Sequence, residues 1–314
     1  MKKLFYTLKP LIPRSVQILL RRILVKKQKE KYKDVWPILP SSAKKPKDWK
    51  GWFENKDFAF ILTHDVELQG GHDKCKTLLE IEKELGFKSS FNFVPERYNV
   101  SKELRDYITG NGFEVGVHGL NHDGKLFRSK EIFDQRAKKI NEYIKDWNVV
   151  GFRAPAMHHN LDWIKQLNVE YDLSTFDTDP FEPQADGVGT IFPFIVKRNN
   201  LNDGYVELPY TLVQDFTVFV LMNESKPDIW KKKTEWIIKN GGMVLVNVHP
   251  DYINFKNSPR EMEEFSIDIY VEFLKHIKSE YEGKYWHALP REVAAFIKKT
   301  EKESTMTPEF SKSV

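Results

Sequence analysis

The sequence contains a single cysteine and no long run of apolar residues. Cys75 alone cannot form a disulfide within the chain, and one thiolate cannot build a zinc site made of cysteines. Any metal bound here must therefore be held by histidine and carboxylate side chains. No segment approaches the about 20 apolar residues that a membrane-spanning helix requires. Internal repeats and glycine-rich phosphate loops are also lacking, which excludes a repeat protein and a P-loop nucleotide site.

The net positive charge of the chain is confined to its first 35 residues. Residues 1–35 hold eleven lysines and arginines against two acidic residues, a local net charge of +9; because the whole chain carries +4, the remaining residues carry −5. An acidic body is not the surface of a nucleic-acid-binding domain, so we expect no nucleic-acid partner. The length of 314 residues, with 40% hydrophobic and 13% aromatic residues, suits a globular protein with a sizeable core.

The basic segment also carries many apolar residues, and residues 1–35 are predicted to be an amphipathic arm, helical from Pro13 through Lys29. Two interpretations are open. In the first, the arm lies on an anionic membrane surface, with cations at the headgroups and isoleucine and leucine side chains below them. In the second, it packs on the rest of the protein with its charged face in water. Because the arm has no small-residue cleavage site, we expect a cytoplasmic protein. If the arm lies on a membrane surface, we expect the protein to be peripheral on the inner membrane leaflet.

Proline and glycine divide the rest of the chain. Residues 36–57 are predicted to be a connector, and residues 300–314 a flexible polar tail. Strand-like and helix-like segments alternate over residues 58–299, which predicts a parallel sheet closed or nearly closed into a barrel. Residues 177–219 are less regular and are predicted to elaborate the barrel near a site. The predicted strands are 58–62, 89–94, 114–117, 149–153, 171–176, 243–248 and 285–289, and the last three predicted helices are 227–240, 259–278 and 290–299.

Ionisable side chains follow three of these predicted strands. Asp65 and Glu67 come after the first strand, His118 and His122 after the third, and His249 after the strand 243–248. In folds built from strand and helix units, ligands bind at the carboxyl ends of the strands. We therefore expect these side chains to meet at one rim.

The strongest chemical signal is the spacing of four between His118 and His122. This spacing places two imidazoles on one face of a turn, where both can reach one ion. Asp65 and Glu67, two apart on an extended segment, point the same way and can supply a third ligand and a separate general base. Which of the two carboxylates is the ligand stays open. The alternative is that the histidines are ordinary polar residues of a loop.

Together these motifs resemble the polysaccharide deacetylase family, carbohydrate esterase family 4, over residues 57–299. The first family motif looks like Thr63-His64-Asp65-Val66-Glu67, and the second matches His118 and His122. The third matches Arg153-Ala154-Pro155, and the last is similar to the segment from Leu245 to His249. The resemblance implies an α/β fold of the distorted, incomplete (β/α) barrel type as a catalytic domain over residues 58–299. It also implies a divalent metal, commonly zinc, and hydrolysis of an N-acetyl group from a sugar.

The resemblance suggests a role for each motif residue. Glu67, His118 and His122 would hold the metal, and Asp65 would accept a proton from water. His249 would protonate the leaving amine, because an imidazole titrates near neutral pH. Arg153 would keep Asp65 ionised by charge pairing. The family's substrate-lining tryptophan motif has no clear counterpart here, so the saccharide is left undefined.

The expected partner is an N-acetylated saccharide, specifically a sugar intermediate of surface-polysaccharide assembly if the arm binds a membrane. One alternative is a non-catalytic sugar-binding or scaffold protein with a decayed site. Another is a hydrolase of small cyclic amides, since related folds use the same barrel mouth. The retained histidine pair favours a metal-dependent enzyme.

Overall fold

The computed structural model describes residues 13–198, 204–256 and 260–306. Among these residues, nine strands form one sheet and two further strands form a small parallel pair. The strands are β1 (Phe58–Val66), β2 (Ser89–Phe93), β3 (Glu114–His118), β4 (Gly151–Arg153), β5 (Tyr171–Asp172), β6 (Phe194–Lys197), β7 (Gly204–Glu207), β8 (Met243–Val248), β9 (Ile253–Asn254), β10 (Phe265–Ser266) and β11 (Tyr285–His287).

The large sheet is organised around β1. One edge of β1 pairs with β8; the opposite edge pairs first with β11 and then, from Leu62 onward, with β2. The order then continues through β3, β4, β5 and β7 to β6, and every pairing is parallel except that of β6 with β7. Backbone amides of Thr211 and Leu212 donate to the carbonyl of Leu245 on β8, each at 3.2 Å. The sheet therefore curls until the segment after β7 meets β8, which is the predicted incomplete barrel.

Helices cover the outside of the curled sheet. They are α1 (Arg14–Lys31), α2 (Gln69–Leu85), α3 (Lys102–Gly110), α4 (Lys130–Asp146), α5 (Leu161–Ile164), α6 (Asp228–Lys239), α7 (Ile267–Tyr281) and α8 (Pro290–Met306), with a π-helical turn at Phe216–Leu221.

Local sequence explains where several helices begin and which face they bury. The hydroxyl oxygens of Ser101 and Ser129 accept hydrogen bonds from backbone amides three residues later, which caps α3 and α4. The apolar residues of α4 recur with helical spacing and are buried. All nine residues of β1 are buried, because both faces of a parallel sheet are covered. This rigid core fixes the carboxyl ends of the strands in space.

Three segments differ from the sequence-based prediction. The helix predicted at 259–278 begins only at Ile267, because Phe265–Ser266 pairs as a strand with Ile253–Asn254 and Ser266 then caps the helix. The last helix, predicted to end at 299, continues to Met306. Residues 177–219 are more than an elaboration, since β6 and β7 within them belong to the sheet.

Helix α1 packs on the body by an unexpected face. Its buried residues are Gln17, Ile18 and Val25, and four of its cations contact the body on the same side: Arg14, Arg21, Arg22 and Lys29. The opposite face carries exposed apolar side chains, namely Val16, Leu19, Leu20, Ile23 and Leu24. The second interpretation of the arm, in which the charged face points to water, is therefore wrong in its orientation. No helix of the described residues is long and apolar enough to cross a membrane.

Candidate active site

The barrel brings the predicted site residues together at the carboxyl ends of four strands. Asp65 lies near the end of β1 with Glu67 just beyond it, and His118 and Arg153 are the last residues of β3 and β4. His249 follows β8 directly. The register pairs His118 with Arg153 across β3 and β4. All six residues predicted from the sequence, including His122, therefore surround one point of the rim.

Glu67, His118 and His122 form a candidate metal site. One possible ligand atom from each residue lies within 4.8 Å of the other two. Two imidazole nitrogens and one carboxylate oxygen are a common ligand set for a catalytic divalent ion that keeps an open position for water. Asp65 does not belong to this cluster, so the geometry separates the two carboxylates that the sequence left undecided.

His118 is oriented as a ligand by the backbone. Its Nδ1 lies 3.1 Å from the carbonyl oxygen of Arg153, which can only accept, so Nδ1 carries the proton and Nε2 presents its lone pair to the site. Burial lowers the pKa of His118 to about 4. The imidazole is therefore neutral at physiological pH, which is the form that binds a metal.

His122 and Glu67 approach each other without a good hydrogen bond. Nε2 of His122 lies 2.9 Å from Oε1 of Glu67, yet this buried nitrogen has no hydrogen-bond partner by geometric criteria among the described residues. The hydroxyl of Tyr252 donates to the other carboxylate oxygen of Glu67 at 3.0 Å. A buried nitrogen and carboxylate oxygen held close in this way fit a shared cation between them.

The carboxylate of Asp65 is held by three hydrogen-bond donors next to the metal cluster. Oδ1 accepts from Arg153 at 3.1 Å and from Asn92 at 3.2 Å, and Oδ2 accepts from Asn247 at 2.9 Å. Oδ2 also lies 4.0 Å from Nε2 of His118. Burial acts to raise the pKa of Asp65, but the nearby positive charge of Arg153 and the imidazoles keep it well below its usual range. Asp65 is therefore a fixed, ionised acceptor.

Arg153 is fully buried and donates to four acceptors. Its Nη1 donates to Asp65, to Oδ1 of Asn247 at 2.5 Å and to Oγ1 of Thr63 at 2.9 Å. Its Nε donates to the carbonyl of Leu173 at 3.0 Å. This arrangement fixes the guanidinium behind Asp65, on the side away from the cleft.

His249 forms a pair with Asp215, which the sequence analysis did not identify. Nδ1 of His249 donates to Oδ1 of Asp215 at 2.7 Å, and the backbone amide of His249 donates to Oδ2, also at 2.7 Å. Burial acts to lower the pKa of His249, but the carboxylates of Asp215, Glu67 and Asp65 together outweigh it and raise the pKa to about 10. Nε2, at 3.9 Å from Asp65 Oδ2 and 4.0 Å from Glu67 Oε1, faces the metal cluster.

The loop that carries Glu67 is anchored by Asp251. Its carboxylate accepts from the backbone amides of Glu67 at 2.8 Å, Leu68 at 3.0 Å and Gly71 at 3.1 Å. A Cβ atom at Gly71 would lie 2.3 Å from Oδ2 of Asp251, so this close approach requires glycine. Asp251 thereby sets the position of Glu67 relative to the two histidines.

A cavity of about 280 Å³ opens beside His122. Among its lining residues are Pro155, His158, His159 and Gln184. Gln184 accepts a hydrogen bond from the backbone N–H of His159 and donates to the backbone C=O of the same residue, each at 3.1 Å. The cavity provides room for a ligand group next to the candidate metal site.

Sequence reasoning missed the partners that orient the site. They are Thr63, Asn92, Asp215, Asn247, Asp251 and Tyr252. Asn247 and Asp251 flank His249 in the sequence, and their polar character next to a buried strand could have indicated them. Asp215 carries no such signal, because it lies in the irregular segment before a π-helical turn.

No protein-family model matches the sequence, and no curated protein matches it. Solved structures do match the fold. A protein described as a polysaccharide deacetylase from Mycobacterium smegmatis is 17% identical with a TM-score of 0.59, covering 86% of this chain and 99% of that one. PuuE allantoinase is 13% identical with a TM-score of 0.59, covering 81% and 93%.

A third similar structure is a protein described as a polysaccharide deacetylase from Pseudomonas aeruginosa PAO1. It is 12% identical with a TM-score of 0.57, covering 78% of this chain and 92% of that one. At these identities the likeness concerns the backbone fold. The resemblance inferred from the motif order is confirmed at that level: the chain has the distorted (β/α) barrel fold of polysaccharide deacetylases.

Proposed function

We propose that the protein is a metal-dependent hydrolase that removes an N-acetyl group from a saccharide. One observation carries this proposal: possible ligand atoms of Glu67, His118 and His122 lie close together around one point. Asp65 lies 4.0 Å from His118 of this cluster, and His249 lies 4.0 Å from Glu67. Amide hydrolysis needs an activated water, a proton acceptor and a proton donor. The rim offers a residue for each need.

The ligand cluster would hold a divalent ion, and zinc is our candidate because two imidazoles and one carboxylate suit it. Such an ion supplies a Lewis acid and lowers the pKa of a bound water toward about 7. Glu67 is oriented for this role by Tyr252 and Asp251. His118 is oriented by the carbonyl of Arg153.

Asp65 and His249 divide the proton transfers between them. Asp65, ionised and fixed by Arg153, accepts the proton of the attacking water. His249, whose pKa of about 10 keeps it protonated at neutral pH, donates from Nε2 to the leaving nitrogen. Protonation matters because an amine is a poor leaving group unless it departs neutral. Asp215 stabilises the charged imidazolium and fixes its tautomer.

The test combines metal analysis with acetate release from N-acetylated sugars. The purified chain should contain one divalent ion, and His118→Ala should lose it. Asp65→Asn should retain the metal but abolish turnover, whereas Glu67→Gln should weaken metal binding, because a base is dispensable for coordination and a ligand is not. Lys102→Gln, which removes an exposed lysine paired with Asp106, is the control. Metal-free wild-type protein, or exchanged phenotypes for Asp65 and Glu67, would contradict the assignment.

Two other activities remain to be compared in the same assay. The complete ligand cluster and the His249–Asp215 pair argue against a scaffold protein with a decayed site. The fold is equally similar to that of PuuE allantoinase, so ring opening of small cyclic amides should be measured beside acetate release. We favour deacetylation because the motif order resembles the deacetylases.

We also propose that α1 holds the protein on an anionic membrane surface, which would place the site near saccharide intermediates of surface-polysaccharide assembly. Nine large hydrophobic residues are exposed in the described part of the chain, and five of them are the outward residues of α1, between 42% and 54% exposed. Lys27 and Lys31 are exposed beyond this apolar stripe, where they suit anionic headgroups.

Vesicle binding tests this placement. The double variant Leu20→Glu/Leu24→Glu should lose binding to phosphatidylglycerol vesicles, since it puts two charges into the apolar stripe. Phe53→Glu, which changes an exposed apolar residue outside α1, should bind as the wild type does. Binding of the wild type to neutral phosphatidylcholine vesicles should be weak, and high salt should weaken its binding to the anionic phosphatidylglycerol vesicles. Unchanged vesicle binding in the double variant, or a dimer that the same variant dissociates, would overturn the proposal.

A further inference from the structure

The guanidinium of Arg21, which belongs to the N-terminal helix α1, is connected to the candidate active site through two aromatic rings. Its Cζ is 4.8 Å from the ring centroid of Phe216. The Phe216 ring in turn lies 4.6 Å from the ring of Tyr252, which is 5.2 Å from the imidazole of His249. Arg21 is therefore separated from the proposed proton donor by two aromatic side chains, whose rings are tilted by 46° relative to each other.

Arg21 is unusual among the arginines of α1 because its donors are unused. Arg14 makes a bidentate pair with Glu263 at 2.7 and 2.6 Å, and Arg22 donates to two backbone carbonyls, each at 3.0 Å. Within residues 13–198, 204–256 and 260–306, the guanidinium of Arg21 has no hydrogen bond and no ion pair, only the contact with the ring of Phe216. A guanidinium carries five N–H donors, and in a partly buried position such donors are normally satisfied.

The acidic groups around Arg21 do not neutralise it. Glu263 is already paired with Arg14. Glu182 is buried, and burial raises its pKa to about 8, with Asp179 acting in the same direction; it is therefore protonated at neutral pH. The hydroxyl of Tyr252 is neutral and donates to Glu67. Among the residues that the structure describes, the permanent positive charge of Arg21 is thus left without a counter-ion.

We propose that Arg21 binds an anionic group of the substrate, a phosphate or a carboxylate on the saccharide. Guanidinium is the side chain best suited to bidentate recognition of either group, and the contact with Phe216 holds it in place without using its donors. This inference rests on the proposed function, because the anion belongs to a substrate only if the protein is a saccharide deacetylase. It restricts the substrate class from N-acetylated sugars in general to those that carry negative charge beside the acetamido group.

Direct binding tests the anion site without relying on turnover. Glucose 1-phosphate and glucuronate are the probes, with glucose as the uncharged reference, measured by titration calorimetry on the full chain. The wild type should bind at least one charged probe more tightly than glucose. Arg21→Gln should weaken that binding about tenfold to a hundredfold, and Arg21→Lys, which keeps a charge but loses the bidentate geometry, should fall between. Lys26→Gln, an exposed cation on the same helix, should have no effect.

The two probes distinguish phosphate from carboxylate, and vesicles distinguish a lipid headgroup from a substrate anion. Arg21→Gln should leave binding to phosphatidylglycerol vesicles unchanged. Equal binding of both charged probes by wild type and Arg21→Gln, with both proteins equally stable to heat, would show that Arg21 only packs on Phe216. Loss of vesicle binding with unchanged probe binding would assign Arg21 to the membrane instead. Either result overturns the proposal.

Acetate release provides a second readout. For an anionic N-acetylated sugar, Arg21→Gln should raise KM about tenfold or more with little change in kcat, because the contact exists in both the ground and the transition state. For the uncharged N-acetyl sugar neither constant should change. If no acetate is released by any protein, the proposed function fails, while the calorimetric result still decides whether Arg21 binds an anion.

Discussion

Asp65 and Glu67 show how one short motif acquires two environments. Asp65 is still inside β1, where Asn92 and Asn247 from the neighbouring strands β2 and β8 reach its carboxylate. Glu67 lies beyond the strand, and its amide and carboxylate are held instead by Asp251 and Tyr252. The strand end therefore separates the two carboxylates, and only Glu67 joins the histidine cluster.

The pair of Asp215 and His249 leads to a prediction about turnover. Asp215→Asn removes the charge that raises the pKa of His249, so less imidazolium is available at neutral pH to protonate the leaving group. We expect kcat to fall about 100-fold or more with the metal content unchanged. Acetate release measures kcat, and elemental analysis measures the metal content. Asp162→Asn, a change at an exposed carboxylate, is the control, and loss of metal in Asp215→Asn would contradict the positioning role.

The buried carboxyl of Glu114 predicts a pH dependence of stability. Burial raises its pKa to about 7 from an ordinary value of 4.5, partly opposed by the Tyr171 hydroxyl, which donates at 2.9 Å. The folded state therefore keeps a proton that the unfolded chain releases. This contribution is complete below pH 4.5 and is lost as the pH rises through about 7, a fall of about 3 kcal/mol in the free energy of unfolding.

Glu114→Gln should remove that part of the pH dependence. Urea unfolding at pH 5 and pH 8 measures the difference for each protein. The wild type should lose more stability between these two values than the variant does. An identical loss in both proteins would show that Glu114 does not hold the proton in the folded state.

At the scale of elements, the apolar residues on the two faces of α1 differ in burial. Ile18 is fully buried against the body, whereas Leu24 on the opposite face is 54% exposed. Ile18→Ala should lower the free energy of unfolding by about 2 to 5 kcal/mol, or release the helix, because it leaves a cavity in the docked face. Leu24→Ala should leave stability within about 0.5 kcal/mol. Chemical denaturation together with hydrogen exchange of α1 measures both effects; equal effects of the two substitutions would contradict the observed docking face.

At the scale of the whole molecule, metal and stability should be linked. An ion that binds the folded chain at a free concentration about 100 times its Kd adds about 2.7 kcal/mol to the free energy of unfolding, which corresponds to about 4 °C in Tm for a chain of this length. Adding a chelator should therefore lower Tm by that amount, and adding zinc back should restore it. His122→Ala, which lacks one proposed ligand, should show no response to chelator. A chelator effect of equal size in His122→Ala would place the ion elsewhere.

Much of this fold and of the candidate site could be predicted from the sequence. Strands β1 and β8 are buried on both faces and begin with continuous apolar runs, and reactive residues follow at their ends. The spacing of four between His118 and His122 and the order of the motifs are local properties of the chain. These features determine the fold class and the six residues at the rim, because parallel strands necessarily bring their carboxyl ends to one side.

Only the tertiary structure decided which groups orient those residues. Asp215 reaches His249 across 34 positions, and Tyr252 reaches Glu67 across 185; contacts over such distances depend on how the barrel curls and leave no periodic signal in the sequence. The docking of α1 has the same cause. Apolar residues occupy both sides of this helix, so its periodicity cannot select the docked face, which is set by the fit of Ile18, Val25 and the arginines to the body. That fit alone brings Arg21 to the ring of Phe216.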